Sequence, residues 1–384
     1  MKFPQLPVIE FLVAYAGLVP DPELLFVIEH AMLAIVRGGI FDQLGGGVHR
    51  YTVDPQWRTP HFEKMLYDQG LLLSALAWAF PIASSPEIGA EYARAARSTA
   101  AFLAREMRAP EGLLYAALSA DTGGVEGASY TWTRTQLAEA LSPAELAVAD
   151  EALGAEVIGD SPGTLIRRAS GSQPEAVDAV LTKLAAARAL RPRPDVDTKM
   201  LTAWNALAAR GLMDAGAAFD DDAMVADGVA LTRRLVATVL TPTGVLREAT
   251  DPSVANVRLL EDAAHLVSAM LTAAEATGDS DLLGAARALH EDTLCRFAEG
   301  HVLYMTPGVG DLPVRPREGG DSAVPAGSST TIQNAVRLGR ADGDAGRLDF
   351  ARRALSQVWA VADFAPEQAG RALEAAVTLE NAGA

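Results

Sequence analysis

Between Gly38 and Asp68 the chain crowds together more chemically able side chains than any other stretch of its length. Gly38-Gly39-Ile40-Phe41-Asp42-Gln43-Leu44-Gly45-Gly46-Gly47-Val48-His49-Arg50-Tyr51 is followed by Trp57, then by Pro60-His61-Phe62-Glu63-Lys64-Met65-Leu66-Tyr67-Asp68. Three consecutive glycines let a backbone turn sharply or approach a ligand closely. Around them Asp42, His49, Arg50, Tyr51, Trp57, Tyr67 and Asp68 offer donors, acceptors and ring faces, and His61 with Glu63 forms a proton-transfer pair. That is the composition of a sugar-type pocket. The competing reading is a tight structural loop whose histidines bond to backbone. No Lys-Ser/Thr follows the glycines, which excludes a phosphate-binding P-loop. His61-x-Glu63 cannot be a zinc deaminase motif in a chain with one cysteine, and no His-x3-His spacing supports a metal, so neither a metal nor a cofactor is expected.

Four further segments add candidates. In Leu259-Leu260-Glu261-Asp262-Ala263-Ala264-His265, Glu261 and His265 stand four apart and share a helix face beside Asp262, as acid/base work would require. A solvated helix N-terminus, where the dipole favours acids, is the alternative. Trp204-Asn205 could stack on and hydrogen-bond to a sugar ring, or could be a core tryptophan beside a cap. Glu126 opens an alternating stretch to Trp132 in which Tyr130 and Trp132 are expected on one face. Arg315 to Ser329 leads into a helix whose first N–H groups could hold an anion, with capping by Ser328 or Ser329 the simpler use. Epimerisation would take an acid and a base from His61 or His49 and His265. Hydrolysis would use two carboxylates, Glu63 with Glu261 or Asp262, whose separation sets inversion or retention.

Helices must position these groups. Apolar spacing marks at least eleven: Pro22–Arg37, Lys64–Phe80, Ile88–Arg108, Glu175–Leu190, Leu201–Ala218, Asp222–Leu240, Leu259–Thr277, Asp281–Phe297, Thr331–Arg340, Leu348–Val361 and Pro366–Leu379. Gly278-Asp279 and Gly343-Asp344 read as tight turns in which Gly ends one helix and Asp begins the next. Gly112-Leu113-Leu114, Gly244-Val245-Leu246 and Gly300-His301-Val302 read as short extended arms after long helices. Alternating tight turns and long arms would gather the arms on one face, and a ring of about six hairpins is the economical arrangement, an open solenoid being the other. One domain over residues 1–384 is expected, with Gly154–Gln173 as a mobile insertion.

The chain of 384 residues is 49% hydrophobic and carries 32 Lys+Arg against 49 Asp+Glu, a balance that repels nucleic acid and anionic membranes. Its longest apolar stretch, Gly70–Ala83, holds 14 residues, against about 20 for a membrane span. The single cysteine, Cys295, is expected to be a buried small apolar residue, and a reducing cytoplasm is the expected compartment. No secretory leader is expected at the N-terminus, where Pro4, Pro7 and Glu10 interrupt the apolar run.

Taken in order, Lys2-Phe3-Pro4-Gln5, the Gly39–Gly47 and Pro60–Asp68 motifs, Glu126-Gly127, Leu201-Thr202-Ala203-Trp204-Asn205, Glu261-Asp262-Ala263 and Val324-Pro325-Ala326-Gly327 resemble the spermatogenesis-associated protein 20 family of thioredoxin-domain-containing proteins. The resemblance implies an all-α (α/α)6 toroid, similar to six-hairpin glycosidases and N-acylglucosamine 2-epimerases, with a sugar or glycan as the partner of a polar site at its mouth. It also implies a chain that begins at the barrel, without the family's thioredoxin-like domain, for which a separate thioredoxin-like protein is an expected partner. Fold does not decide reaction. A non-catalytic scaffold that binds a glycan or a protein is the rival to an epimerase, isomerase or hydrolase.

Overall fold

Asp21 starts one of the best-marked helices of the chain by accepting a hydrogen bond from the Glu23 amide, with Pro22 in the first turn, where its missing N–H costs nothing. The computed structural model describes residues 1–154, 162–168, 174–254, 257–308 and 313–381. Among them are fifteen α-helices: α1 (Leu6–Leu18), α2 (Pro22–Arg37), α3 (Leu66–Ala79), α4 (Pro86–Phe102), α5 (Arg134–Ala140), α6 (Pro143–Leu153), α7 (Pro174–Ala189), α8 (Thr202–Ala218), α9 (Asp222–Val239), α10 (Leu260–Thr277), α11 (Ser280–Phe297), α12 (Gly327–Asp342), α13 (Ala345–Leu355), α14 (Trp359–Phe364) and α15 (Gly370–Glu380).

Six of these close a ring. α1 packs on α3, α3 on α8, α8 on α10, α10 on α12, α12 on α15, and α15 returns to α1. Of the 14 residues of α3, 13 are buried, so it has no solvent face; α8 and α10 are buried nearly all round as well. Helices α2, α4, α9, α11 and α13 pack outside them with a single buried stripe each. The arrangement is an all-α toroid. Small residues set the ring's tightness: a Cβ on Gly211 of α8 would lie 2.2 Å from the Gly70 carbonyl oxygen of α3.

The tight turns form as their residues predict. Gly278 and Gly343 are left-handed, with φ of 69° and 66°, while Asp279 and Asp344 cap α11 and α13. The arms are extended as expected: Leu240–Thr241 pairs with Gly244–Val245, Ala298–Glu299 with Val302–Leu303, and Arg108 with Leu114. Each outer helix runs back between two inner ones. The inner helices therefore all point the same way, and their N-termini share the end of the ring where the arms gather.

Several sequence expectations need correction. α1 is helical through Glu10 because Pro7 falls in its first turn rather than its interior, and Glu10 is buried against Arg371. Two short helices, α5 and α6, were not expected; with α7 they enclose a separate apolar cluster around Trp132, Leu137, Leu153 and Leu184. Residues 127–130 turn instead of continuing an alternating stretch, with the Tyr130 amide bonded to the Gly127 carbonyl; Tyr130 packs against His49 and Phe62, and Trp132 joins the cluster around Leu137. The predicted helix over 348–361 is broken into α13 and α14 by a turn at 356–358. Cys295 is exposed, because the buried stripe of α11 runs through Leu282, Ala286, Leu289, His290, Thr293 and Phe297 and leaves position 295 on the other side. The proposed insertion at 154–173 lies largely outside the described residues. No helix among the described residues is long and apolar enough to cross a membrane.

Candidate functional site

A cavity of about 600 Å³ opens at the N-terminal end of the ring, lined by Phe3 to Pro7 ahead of and within the start of α1, by Arg50, by Asp68 and Leu71 of α3, by Gly319 to Ala323 ahead of α12, and by Glu367 and Gln368 ahead of α15. Two of its walls are held by hydrogen bonds between separate segments of the chain. The Arg50 amide donates to the Glu63 carbonyl at 2.9 Å, and the Arg50 guanidinium donates to the Glu63 carboxylate at 3.2 Å. Asp321 ties two inner helices together, accepting from the Ala326 and Arg371 amides at 2.8 Å each.

Asp68 is the buried acid of this cavity. It sits in the first turn of α3, where an ordinary carboxylate would be ionised. Burial drives its carboxyl well above the usual range, Arg50 pulls the other way, and Glu63 adds to the rise. Its Oδ2 is buried without a hydrogen-bond partner. Beside it Tyr67 meets Trp204 of α8 edge to face, with centroids 4.8 Å apart.

A second acidic group lies at the start of α10. Asp262, 1% exposed, accepts from the Ala203 amide at 3.2 Å and from Arg247 at 3.3 Å. Burial pushes its carboxyl up to about 8 against the pull of Arg247. Arg247 also pairs with Glu261. The N-terminus of α12 is not open for an anion: Glu318 accepts from the Gly327 and Ser328 amides at 2.9 and 2.7 Å. That role was expected of Ser328 or Ser329; the carboxylate reaches back from the preceding loop and displaces them.

The remaining candidates fall into three places. On the rim, His61 Nδ1 lies 2.7 Å from Glu126 and its ring stacks on Tyr51 at 4.9 Å, with Glu63 3.7 Å from Nε2. In the interior, His265 is buried with Nε2 3.1 Å from the Pro325 carbonyl oxygen, and burial lowers its pKa to about 3. Glu261 faces Arg247 instead, so Glu261 and His265 form no dyad despite their helical spacing. Asn205 is fully buried and its amide is spent on Leu114 and Leu201. Away from the mouth, Asp42 pairs with Lys64 and Arg188, and His49 bonds to the Phe62 carbonyl, with burial lowering its pKa to about 3. Trp57 is buried under Lys2. The glycine run serves packing: Gly46 and Gly47 are left-handed, and Cβ atoms there would strike Ser98 and Phe102.

Arg247, Glu318 and Asp321 were not singled out as site residues, because an arginine in an arm and acids in a loop show nothing of their partners until the helices assemble. Lys64 stood in the densest motif and passed without a role.

No family model matches the chain. It is 30% identical over 365 residues to human spermatogenesis-associated protein 20, an alignment that spans 80% of this chain and 46% of that protein. It is 24% identical over 388 residues to an uncharacterized protein of Caenorhabditis elegans, spanning 88% of this chain and 53% of that one. The chain thus spans about half the length of the curated relatives it matches. Among solved structures it is similar to cellobiose 2-epimerase from Spirochaeta thermophila (12% identity, 100% of this chain and 86% of that chain, TM-score 0.60). It is also similar to a D-mannose isomerase (9%, 99% and 87%, 0.58) and to an α-mannanase from Bacteroides thetaiotaomicron (11%, 99% and 86%, 0.55). At such identities these neighbours show the fold, an (α/α)6 toroid shared by sugar epimerases, isomerases and glycosidases. None of these similarities bears on a thioredoxin-like partner. Over four fifths of its length, then, the chain is similar to about half of spermatogenesis-associated protein 20, and its closed ring has the fold of the sugar epimerase, isomerase and mannanase neighbours.

Proposed function

We propose that the mouth of the ring binds a sugar or short glycan and that Asp68 acts there as a general acid, in a hydrolase or an isomerase of the carbohydrate class. The observation that carries this is the pairing of a buried carboxyl raised above its ordinary range with the Arg50 guanidinium, both lining a cavity of about 600 Å³. A protonated carboxyl can give its proton to a glycosidic or ring oxygen, and an arginine beside it can hold the hydroxyls that surround that oxygen. Tyr67 and Trp204 pack edge to face on one another and do not line this cavity; Phe3, in its wall, supplies a ring face for the sugar's apolar side. Glu63, Glu261 and Asp262 are the carboxylates from which a second catalytic group would come, and His61 stands on the rim near Glu63. His49 and His265 take no part in this reading, being buried and bonded to carbonyls. The barrel from residue 1 to 384 is taken as one domain, with α5 to α7 as its side cluster.

A second reading has its own support. Arg50 with Glu63 and Arg247 with Glu261 already neutralise one another, which suits a mouth that holds a glycan without transforming it. The two readings separate in one experiment. Aldoses, N-acetylhexosamines and short oligosaccharides are screened by thermal shift, since a ligand of the folded state raises Tm, and hits are followed by NMR for turnover. Turnover lost in Asp68→Asn with binding kept supports catalysis. Binding without turnover supports the second reading, and no binding at millimolar sugar removes both.

A further inference from the structure

Beside the barrel, a second cavity of about 560 Å³ lies between the loop at Asp42 to Gly45, the end of α4 and α7, and it shares no lining residue with the mouth. Its charged lining is lopsided: Lys64, Arg105, Arg188, Arg191 and Arg193 against Asp42 and Glu106. The chain as a whole carries the opposite excess, with 49 acidic and 32 basic residues. Each of the two carboxylates is shared by two cations. Buried Asp42 accepts from Lys64 at 2.7 Å and from Arg188 at 2.6 Å. Glu106 pairs with Arg105 at 2.7 Å and also with Arg193.

Each triad is left with one uncompensated positive charge. Arg191 adds a third, since its hydrogen bonds go to the carbonyls of Ala128 and Thr131 rather than to a carboxylate. These cations crowd one another: burial lowers the Lys64 ammonium to about 8, Asp42 resists, and Arg188 and Arg105 push it further down. Burial and Arg188 likewise lower Arg191. An anion entering the cavity would relieve that repulsion. Lys64 itself is 1% exposed, held over Phe102 and Tyr130 at 4.4 and 5.0 Å from their centroids, so the basic site has an aromatic and apolar floor.

We propose that this cavity binds a phosphomonoester of sugar size, its dianion among Arg105, Arg188, Arg191 and Arg193 and its carbon skeleton against Tyr130 and Leu118. Three residual positive charges suit a dianion better than a neutral sugar, and arginine forks match phosphate geometry. The cavity falls within the range of about 300–1,000 Å³ usual for small-molecule sites and far exceeds what an inorganic ion needs. The inference does not depend on the reading of the mouth.

The test is calorimetric titration of the full chain with glucose 6-phosphate, inorganic phosphate and glucose at low ionic strength. Glucose 6-phosphate is expected to bind, inorganic phosphate to bind more weakly, and both to weaken as salt rises. Arg105→Gln/Arg193→Gln is expected to weaken glucose 6-phosphate at least tenfold and to leave any glucose response unchanged. Arg193→Gln alone, which alters an exposed side chain, gives the same test should the double variant not fold. Absence of binding by both phosphates, or undiminished affinity in a folded arginine variant, overturns the proposal. Loss of glucose 6-phosphate binding in Asp68→Asn with the arginine variant unaffected also overturns it and assigns the ligand to the mouth.

Discussion

Replacing Arg371 by methionine tests whether charge holds the centre of the ring together. Glu10 of α1 is fully buried, as is Arg371 of α15, whose Nη1 lies 2.7 Å from the Glu10 carboxylate. Arg210 of α8 stands 3.5 Å from the same oxygen and 3.3 Å from Asp214, which also accepts from Ser74 of α3 at 2.8 Å. Glu374 is 3.9 Å from Arg371 and accepts from Gln333 of α12. The network thus links five of the six inner helices. Arg371→Met keeps most of the side-chain volume but leaves Glu10 and Glu374 to share Arg210. Removing one partner of a buried pair strands a charge and costs about 3–5 kcal/mol. Exchanging both partners for apolar groups is often close to neutral, so Glu10→Leu/Arg371→Met is expected to lose less than the single variant, about 2 kcal/mol or below. Guanidinium unfolding followed by circular dichroism measures both, with the midpoint shifting at constant slope. A single-variant loss under about 1 kcal/mol would contradict the range for a stranded buried charge, and a double variant worse than the single would show that packing rather than charge sets the cost.

Three other outcomes follow from local geometry. The pKa of His265 is lowered to about 3 by burial, so its contribution is complete above its unfolded value of about 6.5 and is lost as pH falls toward 3. His265→Gln, able to donate to the Pro325 carbonyl, is expected to flatten the acid limb of stability by up to about 1.4 kcal/mol per pH unit, and an unchanged limb in urea titrations from pH 4 to 6.5 argues against a neutral buried imidazole. Asp262 is raised to about 8, so its contribution is present at low pH and lost as pH rises through that value; Asp262→Asn should lessen the fall in Tm toward alkaline pH, and a steeper fall refutes the assignment. Gly211→Ala drives a methyl into the Gly70 carbonyl at 2.2 Å and is expected to cost about 1–3 kcal/mol. Gly284→Ala, with nothing within 4 Å, is expected to gain up to about 1 kcal/mol, and equal effects at the two sites in calorimetry would refute the close-approach argument.

Much of the fold could be read before the structure because it rests on local chemistry. α2 begins and ends where Asp21-Pro22 and Gly38 place it. The Gly278-Asp279 and Gly343-Asp344 turns form as their dihedral preferences require. Where local signals conflicted, reading failed. Pro4, Pro7 and Glu10 obscured α1 because a proline in a first turn looks like a breaker, and a buried glutamate looks like a surface one until its arginine is found. The site was legible as a neighbourhood. Arg50 and Asp68 came from the densest motif and do meet at the mouth, whereas Asp42 from the same motif turns away into the basic cavity and His49 is buried next to Asp42.

The amino-acid order alone determined most of the helical segments, where most of them turn, and that acids outnumber bases, since each of these depends on neighbours a few residues apart. Tertiary structure alone decided that α15 returns to α1 and shuts the ring, that Arg371 meets Glu10 from the opposite end of the chain, and that Glu261 turns to Arg247 instead of His265. It also decided that Lys64 is buried among arginines in a chain of negative charge. Helical period specifies which side of a helix is apolar, but not which distant helix will cover it. That choice is made by packing the whole ring at once, and with it come the partners, the burial and the protonation of every group at the mouth.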